Sequence, residues 1–300
     1  MPELPDVSVY VECLKPRVVH QPLERARVKS VFLVRTVKPP LQQAEGKRVT
    51  GVERLGKRVV LALEDDIFLV FHLMIAGRFR WGAAGAGIQG RIGLAAFDFP
   101  TGTLLLTEAS SRKRVSLHVL MGRDALTRHD PGGIDVFAAT SAQFAEALAR
   151  GNHTLKRALT DPRLFSGIGN AYSDEILHRA RLSPLALTSR LSAEEAERLR
   201  EAVVKTLRDW TARLRAEAGD GFPEKVTAFR EGMAVHGKFG QPCPDCGAPV
   251  QRIVYAGNET NYCARCQTGG RLLADRALSR LMKDDWPRTL AEWEEMYARG

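Results

Sequence analysis

The stretch Cys243-Pro244-Asp245-Cys246 and its counterpart Cys263-Ala264-Arg265-Cys266 form two C-x-x-C pairs near the end of this 300-residue sequence. In a reducing compartment, such pairs indicate metal ligation more often than disulfide bonds. Four thiolates complete the tetrahedral shell of zinc and leave no position for an activated water. The sequence therefore predicts one structural Zn²⁺, bound by these four cysteines and closed by a β-hairpin over about 250–262.

The residues after the second pair predict a helical C-terminal extension. An apolar helical pattern covers 274–283, and Thr289-Leu290-Ala291-Glu292 has the form of a capping box. We expect one or two short helices that pack on the body of the protein.

The region before the cysteines is predicted to be helical. Thr140-Ser141-Ala142-Gln143 and Ser192-Ala193-Glu194-Glu195 are capping boxes, and the second opens a helix that reaches about Ala218. Between them, Ser166-Gly167-Ile168-Gly169-Asn170 precedes a helix over 171–180. Glycines ahead of a helix let backbone N–H groups approach a phosphate, and Asn170 can donate a further hydrogen bond. Glycine turns between helices are also common without a ligand.

The first part of the chain has β-rich runs and predicts a β-sandwich. The runs cover 27–33, 48–63, 68–81, 94–99 and 104–107, and a Gly- and Ala-rich loop covers 82–90. Lys57 follows Gly56 in a predicted turn, where it faces either solvent or a phosphate. The basic cluster Arg112-Lys113-Arg114 is either a solvated surface or a contact to a phosphate backbone.

The sequence begins Met1-Pro2-Glu3-Leu4-Pro5-Asp6-Val7. Removal of Met1 would leave Pro2 with a secondary amine, and α-amino groups titrate near ~8, so part of such an amine is neutral at cellular pH. Glu3 is placed to act as an acid/base beside that nucleophile. Apolar residues at helical spacing after Val7 predict a helix that anchors the terminus.

The charge balance favours a polyanionic partner. Lys and Arg exceed Asp and Glu by 44 − 35 = 9, and the pI is about 9.5. No apolar run approaches the roughly 18 residues of a membrane-spanning helix, and the first residues lack a secretory apolar segment. We expect a cytoplasmic protein that binds nucleic acid and does not enter a membrane.

The order of these features resembles the formamidopyrimidine-DNA glycosylase/endonuclease VIII family over residues 2–267. The resemblance implies an α+β multi-domain fold with an N-terminal helix and β-sandwich, a helix-two-turn-helix domain and a Cys₄ zinc-finger β-hairpin. The expected domains are 1–136, 137–235 and 236–267, with a helical extension over 268–300.

The resemblance also implies the function, a bifunctional DNA glycosylase and abasic-site lyase of base excision repair. Pro2 matches the nucleophile that attacks C1′, Glu3 the acid/base, and Lys57 a phosphate-binding lysine. Asn170 and Tyr172 match DNA-binding positions, and Glu175 lies in the same motif. The expected partner is damaged DNA, duplex or single-stranded, bound by a monomer.

Three positions depart from the family pattern. Ile75 stands where the family places a methionine that fills the space left by the extruded base, while Met74 lies one position earlier. The loop 108–114 lacks the family's aromatic void-filler, and Asn258 replaces a phosphate-binding arginine. Because alternate residues of a strand face opposite ways, Met74 is not expected to replace Ile75.

These departures predict weak action on duplex 8-oxoguanine and better action on abasic or single-stranded sites. They also leave a second interpretation open, a catalytically weak or silent DNA-binding relative. A zinc-ribbon factor unrelated to repair is the third.

Overall fold

The computed structural model describes residues 1–255, 258–274 and 276–298. The chain forms two compact units, the first from Met1–Gly132 and Arg208–Ala228 and the second from Gly133–Leu207 and Phe229–Gly300. Within the described ranges, no helix has the length and apolar composition needed to cross a membrane.

The first unit is the predicted β-sandwich with its N-terminal helix. Its two four-stranded antiparallel sheets have the orders β2-β3-β4-β8 and β1-β6-β7-β5. The helices are α1 (Leu4–Val18) and α2 (Arg123–His129), and the strands are β1 (Arg25–Val28), β2 (Val49–Leu55), β3 (Arg58–Leu63), β4 (Ile67–His72), β5 (Gly77–Gly82), β6 (Gly93–Phe99), β7 (Gly102–Glu108) and β8 (Ser116–Met121).

The core of this unit follows from the two-residue period of the strands. Val59 and Leu61 of β3 face the main core, while Val60 faces a smaller cluster with Leu126 of α2. The predicted apolar face of α1 is buried in the main core through Val7, Val11, Leu14 and Val18. Burial of both faces of the central strands explains why their sequences read as continuous apolar runs.

Two of the predicted β-runs are interrupted by turns. Residues 48–63 fold into β2 and β3 around Gly56, whose φ of 62° lies in the left-handed region that glycine adopts without strain. Residues 68–81 divide into β4 and β5 around a turn at 74–76. The predicted runs also stopped short of β8, which completes the first sheet beside β4.

The second unit contains the predicted helices α3 (Ser141–Ala149), α4 (Leu155–Thr160), α5 (Asn170–Ala180) and the first part of α6 (Ala193–Ala218). Both capping boxes are confirmed. The Gln143 amide donates to Thr140 Oγ1 (3.2 Å), and the Glu195 amide donates to Ser192 Oγ (3.1 Å). Buried residues recur along α6 at spacings of three and four, at Leu199, Val203, Leu207, Trp210 and Leu214.

The remainder of the second unit is the zinc hairpin and the extension. Strands β9 (Val250–Tyr255) and β10 (Asn258–Cys263) pair antiparallel, followed by α7 (Ala264–Thr268), α8 (Arg276–Met282) and α9 (Leu290–Ala298). The predicted capping box opens α9, because the Glu292 amide donates to Thr289 Oγ1 (3.3 Å). Leu290 and Trp293 pack against the core around Cys243 and Cys263, so the extension shares its core with the hairpin.

Candidate active site and metal centre

The N-terminal residues are held in place by the start of α1. Pro2 is buried and Glu3 is 2 % exposed. The Glu3 amide donates to Asp6 Oδ2 (2.9 Å), which is half of a reciprocal capping box. Because α1 is anchored in the sandwich core, this bond fixes the backbone of Pro2 and Glu3 as well. The spacing of Glu3 and Asp6, three residues apart, is the sequence signal from which this capping box could have been predicted.

The surroundings of the terminus favour a neutral amine. Burial lowers the pKa of the Met1 α-amino group below its usual value. The carboxylates of Glu3 and Asp6 oppose that change, while the positive charges of Arg78 and Lys57 add to it. An α-amine in this environment loses its proton more readily, and the neutral form is the nucleophile.

Arg78 is a neighbour of the terminus that the sequence did not reveal. Its guanidinium donates to the carbonyls of Gly77 (2.6 Å), Ile75 (3.1 Å) and Val226. It therefore ties the 74–76 turn to the segment after α6 while contributing positive charge near the amine. A single arginine at the start of a strand carries no distinguishing pattern in the sequence.

Lys57 lies in the predicted turn between β2 and β3, beside a second group of residues that the sequence did not reveal. Arg58, the next residue, pairs across the sheet with His72, and His72 pairs with Ser116. Burial lowers the pKa of His72 to about 4, and the charges of Arg58 and Lys57 act in the same direction. His72 is therefore neutral at pH 7.

The side chain of Ile75 is exposed at the tip of the β4–β5 turn. Ile75 is 60 % exposed, while Met74 is partly buried and has a φ of 53°. Met74 was not expected to replace Ile75 because alternate residues of a strand face opposite ways. That argument does not apply, because residues 74–76 form a turn and not a strand. The turn conformation, and not the two-residue period, directs Ile75 toward solvent.

The loop 109–115 is folded around one buried carboxylate. Glu108 is 1 % exposed and accepts hydrogen bonds from the Arg114 amide (2.9 Å), the Val115 amide (3.2 Å) and Ser110 Oγ (3.1 Å). Lys113 Nζ donates to the Glu108 carbonyl, so this lysine is used within the loop. Arg112 and Arg114 are exposed and available to an anionic partner.

The helix-two-turn-helix residues surround the start of α5. Asn170 Nδ2 donates to the Glu259 carbonyl of β10 (2.9 Å). Tyr172 is 2 % exposed, which favours a packing role over direct contact with DNA. The carboxylate of Glu175 accepts hydrogen bonds from the amides of Ala234 (2.7 Å), Val235 (2.9 Å) and His236 (2.9 Å). Glu175 thus connects α5 to the segment that precedes the first knuckle.

Asp174 forms a buried charged network beside these residues. Its side chain accepts from Lys156 Nζ (2.5 Å) and contacts His236 Nδ1 (2.8 Å). The side chains of Asp174 and Lys156 are 0 % and 11 % exposed. Lys156 also donates to the Asn170 carbonyl (2.6 Å), so the network sets the position of Asn170. No spacing in the sequence connects residues 156, 174 and 236.

The four predicted cysteines converge on one point. Their sulfur atoms lie within 4.8 Å of one another, with Cys246 to Cys263 at 3.4 Å and Cys243 to Cys266 at 3.9 Å. Tetrahedral zinc with Zn–S bonds of about 2.3 Å requires sulfurs about 3.8 Å apart, so the residues fit the metal. His178 Nε2 lies 3.2 Å from Cys243 Sγ and is an outer-shell partner of this thiolate. The chain binds one structural zinc here.

Asn258 is exposed at the start of β10. The nearby hairpin arginine, Arg252, is already engaged, with its guanidinium 4.3 Å from the Phe239 ring and 3.5 Å from Glu259 Oε2. Gly257, which directly precedes Asn258, lies outside the residues that the structure describes. Arg252 is therefore poorly placed to replace the family arginine.

Three family models match consecutive parts of the chain. The formamidopyrimidine-DNA glycosylase N-terminal domain matches residues 1–131, the H2TH domain of the same enzymes matches 133–214, and a zinc finger found in FPG and IleRS matches 240–269. Together they follow the sandwich, the helices around Asn170 and the Cys₄ hairpin.

Proteins similar in sequence and in structure to this chain are formamidopyrimidine-DNA glycosylases. A formamidopyrimidine-DNA glycosylase of Thermus thermophilus is 34% identical over 290 residues, covering 90% of this chain and 100% of that one. The crystal structure of the MutM (FPG) protein from Thermus thermophilus aligns with a TM-score of 0.73 and 32% identity over 89% of this chain and 98% of that one. A complex of Lactococcus lactis Fpg with abasic-site DNA gives 0.77 and 25% over 89% and 99%. The chain belongs to the formamidopyrimidine-DNA glycosylase/endonuclease VIII family.

Proposed function

We propose that this protein is a bifunctional DNA glycosylase and abasic-site lyase that acts on oxidised or ring-opened bases in damaged DNA. The observation that carries the proposal is that Pro2 and Glu3 are buried directly before α1, in surroundings that lower the pKa of the adjoining Met1 α-amine. Family membership and the similarity to Fpg–DNA complexes support DNA as the substrate.

The proposed reaction begins when Met1 has been removed. The Pro2 nitrogen forms a bond to C1′ as the glycosidic bond breaks, and the base departs with the bonding electrons and gains the proton that the Pro2 nitrogen loses. Glu3 protonates the ring oxygen O4′ as the C1′–O4′ bond breaks, so that the ring opens to an iminium ion (a protonated Schiff base) at Pro2. Loss of a C2′ proton then expels the 3′ phosphate and nicks the strand. Lys57 is proposed to hold a phosphate beside the reacting sugar.

Borohydride trapping on abasic-site DNA tests this chemistry, because reduction of the imine leaves a covalent protein–DNA complex. We expect trapping by the protein whose N-terminus is Pro2, and a loss of at least about tenfold in Pro2→Gly. Glu3→Gln should lower base removal by about 10²-fold or more while sparing nicking at a preformed abasic site, since that site already presents an aldehyde. Full trapping by a protein with a blocked N-terminus would refute the proposal.

A DNA-binding relative without catalytic activity is the second candidate, favoured by Asn258 in place of an arginine. It predicts binding of abasic DNA without any trapped complex. The trapping assay and a binding titration on the same DNA therefore separate the two functions.

A further inference from the structure

A turn in the β1–β2 connection presents two large apolar side chains to solvent. The Leu33 amide donates to the Ser30 carbonyl (3.0 Å), which places Val31 and Phe32 at the tip of the turn. Val31 is 81 % exposed and Phe32 is 73 % exposed, whereas the next residue, Leu33, is 1 % exposed in the sandwich core. Leu33 therefore anchors the turn in the sandwich core, whereas the Phe32 ring beside it buries little apolar area.

The backbone that follows this turn is fixed against β8. Val34 forms a parallel bridge with Leu117, the Leu117 amide donates to the Leu33 carbonyl (2.9 Å), and the Arg35 amide donates to the Leu117 carbonyl (2.8 Å). Further along, the Val119 amide donates to Thr36 Oγ1 (2.9 Å). Residues 33–36 therefore extend the first sheet by one short edge segment, and the turn is attached to a rigid element.

The register places Phe32 at the same end of the sheet as Ile75. Residues 33–36 run parallel to β8, so Phe32 lies toward the Ser116 end of that strand. His72 pairs with Ser116, so β4 ends and the 74–76 turn begins at this end as well. Adjacent strands are about 4.8 Å apart, which puts the edge segment about 10 Å from β4. The loop 109–115 enters β8 between them.

Exposed cations surround this end of the sheet. Arg35, Arg112 and Arg114 are exposed, and the last two belong to the loop that lacks the family's aromatic residue. Exposed aromatic rings beside arginines are the composition with which proteins bind unpaired nucleic-acid bases, because the rings stack on bases and the cations contact phosphates. This combination favours DNA over a purely apolar partner surface.

We propose that Phe32 is a positioning residue for duplex DNA, stacking on the base left unpaired when a damaged nucleotide is extruded. It would supply, from the β1–β2 connection, the aromatic ring that the loop 108–114 does not contain, with Ile75 acting beside it. The proposal rests on the proposed glycosylase function. It also revises the expectation of weak action on duplex 8-oxoguanine, since that expectation rested on Ile75, the loop 108–114 and Asn258 and did not include Phe32.

The test compares duplex and single-stranded DNA that carry the same lesion. In the single strand no partner base is orphaned, so the ratio of the duplex rate to the single-strand rate isolates the contribution of Phe32. We expect Phe32→Ala to lower this ratio at least tenfold and Phe32→Trp to restore it to within about threefold of the wild type. Val37→Ala, an exposed apolar residue beyond the bridge to β8, is the matched control and should leave the ratio unchanged.

A spectroscopic measurement reports stacking independently of rate. With 2-aminopurine opposite an abasic site, binding of the wild-type protein and of Phe32→Trp should change the fluorescence of this base, and Phe32→Ala should reduce the change. An unaltered rate ratio together with an unaltered fluorescence change in Phe32→Ala would overturn the proposal. The proposal would also be overturned if the wild type were a dimer and Phe32→Ala a monomer, because the turn would then be the contact between two copies of the chain. Failure of the wild type both to remove the base and to form any trapped complex would instead refute the proposed glycosylase and lyase function.

Discussion

Three buried carboxylates in this protein bind backbone amides and thereby fix the parts of the chain that carry the proposed site. Asp6 holds the Glu3 amide, Glu108 holds the amides of the 109–115 loop, and Glu175 holds the segment before the first cysteine pair. Hydrogen bonds to a charged acceptor contribute about 1.5–3 kcal/mol each, roughly twice as much as neutral ones. Each carboxylate can therefore order a loop that has little apolar area of its own to bury.

His72 should make the protein sensitive to acid. Burial lowers its pKa to about 4, compared with about 6.5 in the unfolded chain. Between these values the unfolded state binds a proton that the folded state does not, so stability is lost as the pH falls from 6.5 toward 4. The difference between the two pKa values corresponds to about 3 kcal/mol. We expect the free energy of unfolding of His72→Gln to depend less on pH over this interval, in urea titrations at several pH values. Parallel curves for the two proteins would contradict the assignment.

Asp174 should be among the most costly positions in the second unit. Asp174→Asn leaves Lys156 buried without its charged partner, and we expect a loss of about 3 kcal/mol, at the lower end of the roughly 3–5 kcal/mol for breaking a buried pair. Glu146→Gln is the control, since Glu146 and Arg150 form an exposed pair at 3.8 Å that contributes about 0.5 kcal/mol or less. Chemical denaturation followed by circular dichroism should separate the two variants. Equal effects would show that the Asp174 network is not an important source of stability.

At the level of elements, the starts of helices could be predicted from capping residues close together in the sequence, whereas the pairing of strands could not. The capping boxes at Thr140 and Ser192 located α3 and α6 because a cap depends on residues three apart in sequence. The turn at 74–76 was not recognised, since strands buried on both faces form uninterrupted apolar runs. The cysteines were predicted from their spacing and Lys57 from the family resemblance, and Pro2 and Glu3 were predicted from both the chemistry of the terminus and the resemblance. Arg78, His72 and Phe32 acquire their neighbours only through sheet register.

The zinc hairpin offers a direct test of the missing arginine. Asn258→Arg adds a cation at an exposed position of β10 and should tighten DNA binding through a charge-assisted contact to a phosphate. One additional phosphate contact should steepen the dependence of log affinity on log salt by about one unit. Gln89→Arg adds the same charge on an exposed loop of the first unit and controls for net charge. A salt dependence that changes equally in both variants would show that Asn258 does not face the DNA backbone.

At the scale of the whole molecule, the extension and the zinc hairpin should behave as one folding module. Leu290 and Trp293 pack on the core that contains Cys243 and Cys263, and the Leu273 amide donates to Tyr262 Oη (2.8 Å). Metal binding supplies folding free energy to modules of this size.

Chelation of zinc should therefore disorder both the hairpin and α9 while the β-sandwich stays folded, and DNA affinity should fall. Metal analysis is expected to give one zinc per chain, and circular dichroism with NMR of the chelated protein would show which parts unfold. Retention of α9 after chelation would mean that the extension folds on its own core. Unchanged DNA affinity after chelation would show that the hairpin does not contribute to DNA binding.

The burial of Pro2 also has a consequence for biosynthesis. An aminopeptidase must reach the bond between Met1 and Pro2, but in the folded chain Pro2 is buried and the Glu3 amide is locked to Asp6. We therefore expect methionine excision to precede the docking of α1, while the nascent chain is still extended. Molecules that fold first would keep Met1 permanently and lack the secondary amine. After rapid overexpression, preparations in which a larger fraction of the intact mass retains methionine should give proportionally less complex trapped by borohydride.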